Sequence, residues 1–330
     1  MQPRVVTYTK NVFLPLTSVC RNRCGYCSFR TPVRDGCVML PDQVEAVLAR
    51  GQEAGCTEAL FTFGEHPEEE PGFRTCLEQT GYDSILDYCE AMCRLAIRYG
   101  ILPHTNAGIL TYGEMKRLRP VNASMGLMLE TTARIPAHQG SKGKDPEVRL
   151  AMMEDAGRLK IPFTTGLLLG IGESARDREE SLVAIRDIHQ KYGHIQEIIL
   201  QNFCPKDNTP MAAFRVPETQ EICDTITMAR RILPDEISIQ IAPNLIDASR
   251  LIGCGVSDLG GISPVTIDYV NPEHPWPALA DLRKIAGEAT LLQERLCIYP
   301  RFIRMGWFDP GLQPLINRLD QRISRGSGQP

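Results

Sequence analysis

Three cysteines spaced Cys20-x-x-x-Cys24-x-x-Cys27, in the run SVCRNRCGYCSF, constrain this chain more than any other feature. Thiolates this close in sequence can converge on one metal centre, and iron–sulphur clusters are built from such ligands, ordinarily four of them. The local set stops at three. One iron is then left without a protein ligand and free to bind and activate a small molecule. Structural zinc needs four nitrogen or sulphur ligands in a closed tetrahedron, and no second pair with short-loop spacing follows, although a fourth ligand from far along the chain would restore that reading. Cys37, Cys56, Cys76, Cys204, Cys223, Cys254 and Cys297 stand alone, and Cys89 and Cys93 share a predicted helix. These read as small buried hydrophobes rather than ligands.

The chain has 330 residues, 43% of them hydrophobic, enough for one elaborate barrel or two modest domains. Its N-terminus, MQPRVVTYTKNVFLPL, lacks the apolar core and cleavage site of a signal peptide. No apolar run reaches the roughly 18 residues a membrane span needs. A net charge of -4 provides no electrostatic footprint for nucleic acid. Twelve cysteines in a chain this long suit metal chemistry in a reducing compartment better than a disulfide scaffold. The expectation is a soluble cytoplasmic enzyme.

Short apolar runs alternate with longer amphipathic stretches, the pattern of βα units and a parallel sheet. Strands are predicted at NVFLPL, TEALFTFG, LPHTNAG, ASMGLMLE (ending at Glu130), PFTTGLLLGIGE and EIILQNF, with later ones at ISIQIAP and DLGGIS. Helices are predicted between them, one opening at Pro41 and one at Asp145-Pro146, an N-cap followed by proline at the first helical position. HPEEEPGFRTCLEQTG and ARIPAHQGSKGK read as loops, the region beyond Pro275 as helical, and SRGSGQP as a tail. The fold class is α/β, a partial (β/α)6 or a full barrel of parallel strands like a TIM barrel, with a C-terminal extension. Residues 1–240 would form the core, and 241–330 would complete or cap the barrel and the substrate site. Such barrels carry their sites at the C-terminal ends of the strands. The cysteine loop, Glu65, Asn106, Glu130 and the stretch Gly170–Glu173 all fall there.

The cysteine spacing, with Tyr26 before the third cysteine, resembles the radical S-adenosylmethionine (SAM) superfamily. The resemblance implies a 4Fe–4S cluster on Cys20, Cys24 and Cys27 whose open iron chelates SAM. One electron then cleaves SAM to methionine and a 5′-deoxyadenosyl radical, which abstracts a hydrogen atom. Phe63-Gly64-Glu65 stands where the superfamily has a Gly-Gly-Glu turn at the SAM amino group, with Phe63 replacing the first glycine. Gly166-Leu-Leu-Leu-Gly170-Ile-Gly-Glu173 resembles the strand beside the adenine. Glu130 and Arg149 look like the carboxylate and guanidinium that some members place around SAM, though Arg149 also reads as a solvated helix charge. Asn106 is a further SAM candidate. Tyr26 would shield the cluster or offer backbone to the adenine. His66 and His104 read as structural.

GLLLGIGE, QNFCPKDNTPM and DLGGISPVTIDYVNPEHPWP resemble the ring-closing subunit of the 7,8-didemethyl-8-hydroxy-5-deazariboflavin synthase family. That likeness implies the substrate 5-amino-5-(4-hydroxybenzyl)-6-(D-ribitylimino)uracil, closed to a deazaflavin with loss of ammonia. It also implies a low-potential donor such as ferredoxin or flavodoxin, and a sister tyrosine-coupling subunit as a possible partner. Gln201, Asn202, Lys206, Asp268, Tyr269 and Asn271 fall in the diagnostic blocks. Asn202 and Asp268 are expected in polar contacts, Lys206 or Tyr269 in proton handling. The rivals are another radical SAM enzyme (the sister subunit, a biotin-synthase-like or a menaquinone-pathway member) and a non-enzymatic iron–sulphur electron carrier.

Overall fold

In a computed structural model, which describes residues 4–35 and 38–326, a parallel barrel organises the chain. Cys37 and the end of the expected tail lie outside the described residues. The strands are β1 (Arg4–Leu14), β2 (Glu58–Thr62), β3 (Leu102–Asn106), β4 (Ser124–Gly126), β5 (Phe163–Leu169), β6 (Ile195–Asn202), β7 (Ser238–Gln240), β8 (Asp258–Ile262) and β9 (Thr290–Glu294). Each of the first seven pairs in parallel with the next, and β8 returns to β1, so the barrel is full rather than six-stranded. Helices Pro41–Glu53, Ile85–Arg98, Pro146–Arg158, Ala175–Tyr192 and Thr219–Ile232 cover its outside. Asp145 caps its helix as predicted, accepting the Glu147 amide.

Five expectations are corrected. The first strand begins at Arg4, before NVFLPL, because Arg4–Tyr8 pairs with β9, a strand the sequence did not signal. Part of the segment read as an inserted loop is the helix Phe73–Glu78, which buries Phe73, Cys76 and Leu77 at helical spacing. The fourth strand stops at Gly126; Glu130 adopts φ 67° and rejoins the sheet through a bridge to Leu167. Cys223 and Cys254 are half-buried and form a disulfide rather than standing alone as buried thiols. The tail also begins later than expected, since the last helix, Gln313–Gly326, includes Ser324 and Arg325.

Alternation along each strand divides lumen from shell. In β3, Thr105 faces outward to the Cys89 and Cys93 sulphurs, at 3.9 and 3.7 Å, while His104 and Asn106 line the lumen. The C-terminal segment plugs the barrel at the strands' N-terminal ends. Leu315, Ile316, Leu319 and Ile323 of the last helix pack with Leu296, Ile298 and Phe302 beneath Leu102 and Ala123. Above them lies a buried charge cluster. Arg295 binds both oxygens of Asp258 (2.6 and 2.8 Å) and Glu197 (2.8 Å), and the Tyr299 hydroxyl lies 3.1 Å from both Glu197 and Asp258. Cutting Arg295 to a neutral side chain would strand buried carboxylates, a change that typically costs about 3–5 kcal/mol.

One guanidinium cannot keep three carboxyls ionised. Burial pushes Glu58 up to about 7 and Glu197 up to about 8 despite Arg295. A raised folded-state pKa adds stability that is complete below the unfolded value and is lost as pH rises through the folded one. Glu58→Gln, which mimics the protonated form, should therefore gain stability relative to the parent between about pH 5 and about pH 8. Urea unfolding of the cluster-free chain at both pH values checks this; a pH-independent difference would place the proton elsewhere.

Candidate active site

The cysteine loop leaves β1 at the barrel mouth and is tied down by Glu65, just past β2. The Glu65 amide donates to Cys20 Sγ at 3.2 Å, and its carbonyl accepts the Arg21 amide at 3.0 Å. Its buried carboxylate takes Arg21 Nε at 2.9 Å and the Ile109 amide at 3.0 Å, with Arg149 Nη2 at 4.0 Å. Burial alone would raise this carboxyl, but Arg149, the Ile109 amide and Arg21 together hold it below the usual range. Gly64 is a steric requirement, since a Cβ there would lie 1.9 Å from the Val19 carbonyl oxygen. The turn at Gly143 closes on the same carboxylate, where an added Cβ would lie 1.6 Å from Glu65 Oε1.

Across the mouth, the buried Glu130 carboxylate accepts from Tyr26 Oη and Lys144 Nζ and lies 2.9 Å from His138 Nε2. Burial opposes its charge, yet Lys144, His138 and Arg149 outweigh that and keep it well below the ordinary carboxylate range. Tyr26 thus contributes its hydroxyl, and burial and Glu130 raise its pKa well above the phenol value. Arg149 is 3% exposed, which overturns the solvated-charge alternative. Its guanidinium donates to the Gly143 carbonyl at 2.7 Å and to the Met128 carbonyl, stitching two loops to its helix.

Tyr26, Glu65, Glu130, Lys144 and Arg149 line one cavity of about 290 Å³, together with Cys20, Cys24, Cys27, Gly64 and Asn106. The three cysteines are free thiols, and Ser141 Oγ points to Cys24 Sγ at 3.6 Å. Among the described residues no three metal-binding side chains meet at single-ion spacing. A cubane takes each thiolate at a different iron, so its ligands need not meet at a point. Three free thiols beside ionised carboxylates and a buried guanidinium suit a cluster carrying a ligand with amino and carboxylate ends.

From the later blocks, Gln201, Asn202, Lys206 and Asn271 reach the cavity. Asn202 Nδ2 donates to the Leu245 carbonyl at 3.3 Å, and Lys206 pairs with Glu273, burial lowering its pKa. Asp268 and Tyr269 do not line it. The Asp268 carboxylate is committed to the Val270 and Asn271 amides and to the Asn244 and Asn271 side chains, and Tyr269 stacks edge-on against Phe13. Gly166 lies on the wall strand beneath Leu168 without lining the cavity. Gly170 and Glu173 line a separate surface recess, where Glu173 accepts the Gly170 and Ile171 amides, both at 2.8 Å, and pairs with Arg178. Sequence reading missed His138, Ser141 and Lys144, all in the segment taken for a plain loop. Only the basic Ser-Lys-Gly-Lys run before the Asp145 cap marks it, and many surface turns share that composition.

Residues 14–185 match the family model described as Radical SAM superfamily. The fold is shared with the FeFe-hydrogenase maturase HydG from Carboxydothermus hydrogenoformans (TM-score 0.69, 18% identity, 97% of this chain and 77% of that one). It is shared also with methylornithine synthase (TM-score 0.62, 16% identity, 94% and 86%). The chain is a radical SAM protein. A protein of Methanoregula boonei named 7,8-didemethyl-8-hydroxy-5-deazariboflavin synthase is 88% identical over the whole of both chains. One of the same name from Methanosphaerula palustris is 62% identical over 99% of this chain and all of its own length. This chain therefore belongs to the 7,8-didemethyl-8-hydroxy-5-deazariboflavin synthase family.

Two substitutions test the mouth. Gly64→Ala should push the cysteine loop off its seat, cutting iron and sulphide bound after reconstitution by more than half while circular dichroism stays unchanged. Arg149→Lys keeps the charge but cannot bridge both carbonyls, so it should cost about 1–3 kcal/mol in chemical unfolding.

Proposed function

We propose that this chain makes 7,8-didemethyl-8-hydroxy-5-deazariboflavin from 5-amino-5-(4-hydroxybenzyl)-6-(D-ribitylimino)uracil, closing the middle ring as an ammonia-releasing lyase. Methionine and 5′-deoxyadenosine leave with the product. The observation that carries this reading is the continuity of the site: the cavity holding the three cysteines meets a polar barrel lumen at Thr62, Asn106 and Met128, which line both. Full-length identity to the named relatives selects the product.

Cys20, Cys24 and Cys27 would hold a 4Fe–4S cluster. Bound cluster and SAM would supply a 5′-deoxyadenosyl radical that takes one hydrogen atom from the substrate, and after ring closure the remaining electron would return to an acceptor as a proton is released. Glu65 and Glu130, both kept ionised, suit the amine and ribose hydroxyls of SAM; Lys144 on Glu130 already shows an ammonium held there. Arg149 would orient the SAM carboxylate while bracing the mouth, and Asn106 would donate or accept beside the ligand. Tyr26 would wall the cluster, with Gly64 allowing its loop to approach. Gly166, Gly170 and Glu173 would act by shaping the adenine wall. Asn202, with Gln201 and Asn271, would meet the uracil or ribityl groups, and Lys206 would handle a proton. Asp268 and Tyr269 would act by holding Asn271 and Phe13.

Residues 241–330 would complete the barrel begun by 1–240. A low-potential ferredoxin or flavodoxin would supply electrons, and the sister tyrosine-coupling subunit would pass the substrate on directly. Among the described residues no helix is long and apolar enough to cross a membrane. Free thiols dominate the described cysteines, which favours the cytoplasm as the compartment.

Anaerobic reconstitution followed by SAM, dithionite and the tyrosine–pyrimidine adduct tests the reading. Fluorescent deazaflavin and 5′-deoxyadenosine should form together, and Cys24→Ala should abolish both. Deoxyadenosine alone would discard the substrate and keep the radical SAM class. Neither product from a reducible cluster would favour the electron carrier.

A further inference from the structure

Beneath the mouth, the lumen contains a chamber of about 150 Å³ with Phe13, Leu60, Ile199 and Trp276 on its walls, the Arg295 cluster at its floor and His104 facing it. A cavity of that size has room for one benzene ring, here with apolar walls on its faces and polar groups at its edge. Polar atoms on this chamber are left without protein partners: Asn11 Oδ1 and Trp276 Nε1 are buried and make no hydrogen bond. Buried polar groups are ordinarily satisfied, so such atoms call for an occupant.

His104 supplies another. Ser124 Oγ donates its single proton to the Cys297 carbonyl at 2.8 Å. It therefore has only lone pairs to offer His104 Nδ1, which lies 2.6 Å away and must carry the ring proton. The tautomer is fixed by this chain, and Nε2 is left as a bare acceptor with no hydrogen bond to the described residues. Gly126, the next lumen position of β4, makes room for it; a Cβ there would lie 3.0 Å from His104 Nε2. Burial, with Arg295 nearby, lowers the imidazole to about 3 and keeps it neutral.

We propose that this chamber receives the phenol ring of the substrate end-on, with the ring hydroxyl donating to His104 Nε2. His104 is two residues deeper than Asn106 on β3, about 6.6 Å along the strand. That is the span of a para-substituted ring, so the benzylic carbon emerges at the neck of Thr62, Asn106 and Met128, toward the cysteine cavity. A uracil edge presents acceptors on both sides of its N–H and would set a carbonyl against the bare Nε2. The inference rests on the function proposed above.

The test is binding to the reconstituted holoenzyme with SAM but no reductant, so that no turnover occurs. Equilibrium dialysis compares the tyrosine-derived adduct with its phenylalanine-derived analogue, which lacks only the hydroxyl. The parent should bind the hydroxylated adduct at least about tenfold more tightly, the value of one good buried hydrogen bond. His104→Phe should bring that ratio close to one, and His104→Gln, which retains an acceptor, should keep part of it. Equal binding of the two adducts by the parent overturns the proposal without any variant. A ratio unchanged in a His104→Phe protein with full cluster content also overturns it. Should the parent bind neither adduct and make no deazaflavin on reduction, the proposed function fails first, an outcome distinct from turnover without hydroxyl discrimination.

Discussion

The attachment of the cysteine loop to Glu65 is the interaction on which the site depends. One residue satisfies the Cys20 sulphur through its amide, the Arg21 backbone through its carbonyl, and three separate elements through its carboxylate. Burying a carboxylate costs several kcal/mol before its partners act, and Coulomb attraction repays it only when the remaining lone pairs are satisfied. Here they are, by one guanidinium bond and one amide bond, with a second guanidinium close by. The net contribution to stability is therefore modest, whereas removing any one partner is costly. Such a group specifies geometry more than it stabilises. That is what a ligand loop needs, because its sulphurs must keep their places while a cluster is assembled.

The same residue type behaves oppositely at the two ends of the barrel. At the mouth, Glu65 and Glu130 outbid their burial with close cations and stay charged. On the floor, Glu58, Glu197 and Asp258 share Arg295, and burial wins for both glutamates. The glutamates thus grade from ionised near the cysteine loop to protonated around the Arg295 guanidinium near the plug. A gradient of this kind suits a reaction that begins with electron transfer to a cationic ligand and continues through radicals that water or loose protons would divert. The plug supplied by the C-terminal helices excludes solvent from below, so that segment belongs to the site although it contributes no cofactor candidate.

Much of this was legible in the sequence, and what was not failed for identifiable reasons. Strands, outer helices and the grouping of cysteines, Glu65, Asn106 and Glu130 at strand ends followed from periodicity and chain order, because hydrophobic alternation is a local property. β9 escaped because its partner is the start of β1, nearly the whole chain away. Asp268 and Glu173 misled in the same way. Each carboxylate falls in a turn rich in glycine or proline and is taken up by its own neighbouring amides, a competition that composition cannot reveal. His104 is a different case. A lone histidine on an apolar strand reads as structural, and only the serine and carbonyl aligned behind it show that its second nitrogen is unspent.

The fold is shared with proteins at 16–18% identity, so the barrel itself chooses no substrate. Selection has to come from lumen side chains, and position in the barrel divides the work. Groups at the mouth would meet what every member of the superfamily binds, and they are charged and multiply held. Groups deeper down would meet what only this family binds, and there the structure leaves hydrogen-bonding capacity unspent at Asn11, His104 and Trp276. Leaving buried polar atoms open costs stability in the empty enzyme. A site that tolerates that cost discriminates sharply, because a ligand lacking the matching group leaves it standing, while the correct one relieves it on entry. On the proposed assignment, specificity for a hydroxylated ring would be a consequence of incomplete hydrogen bonding in the free chain.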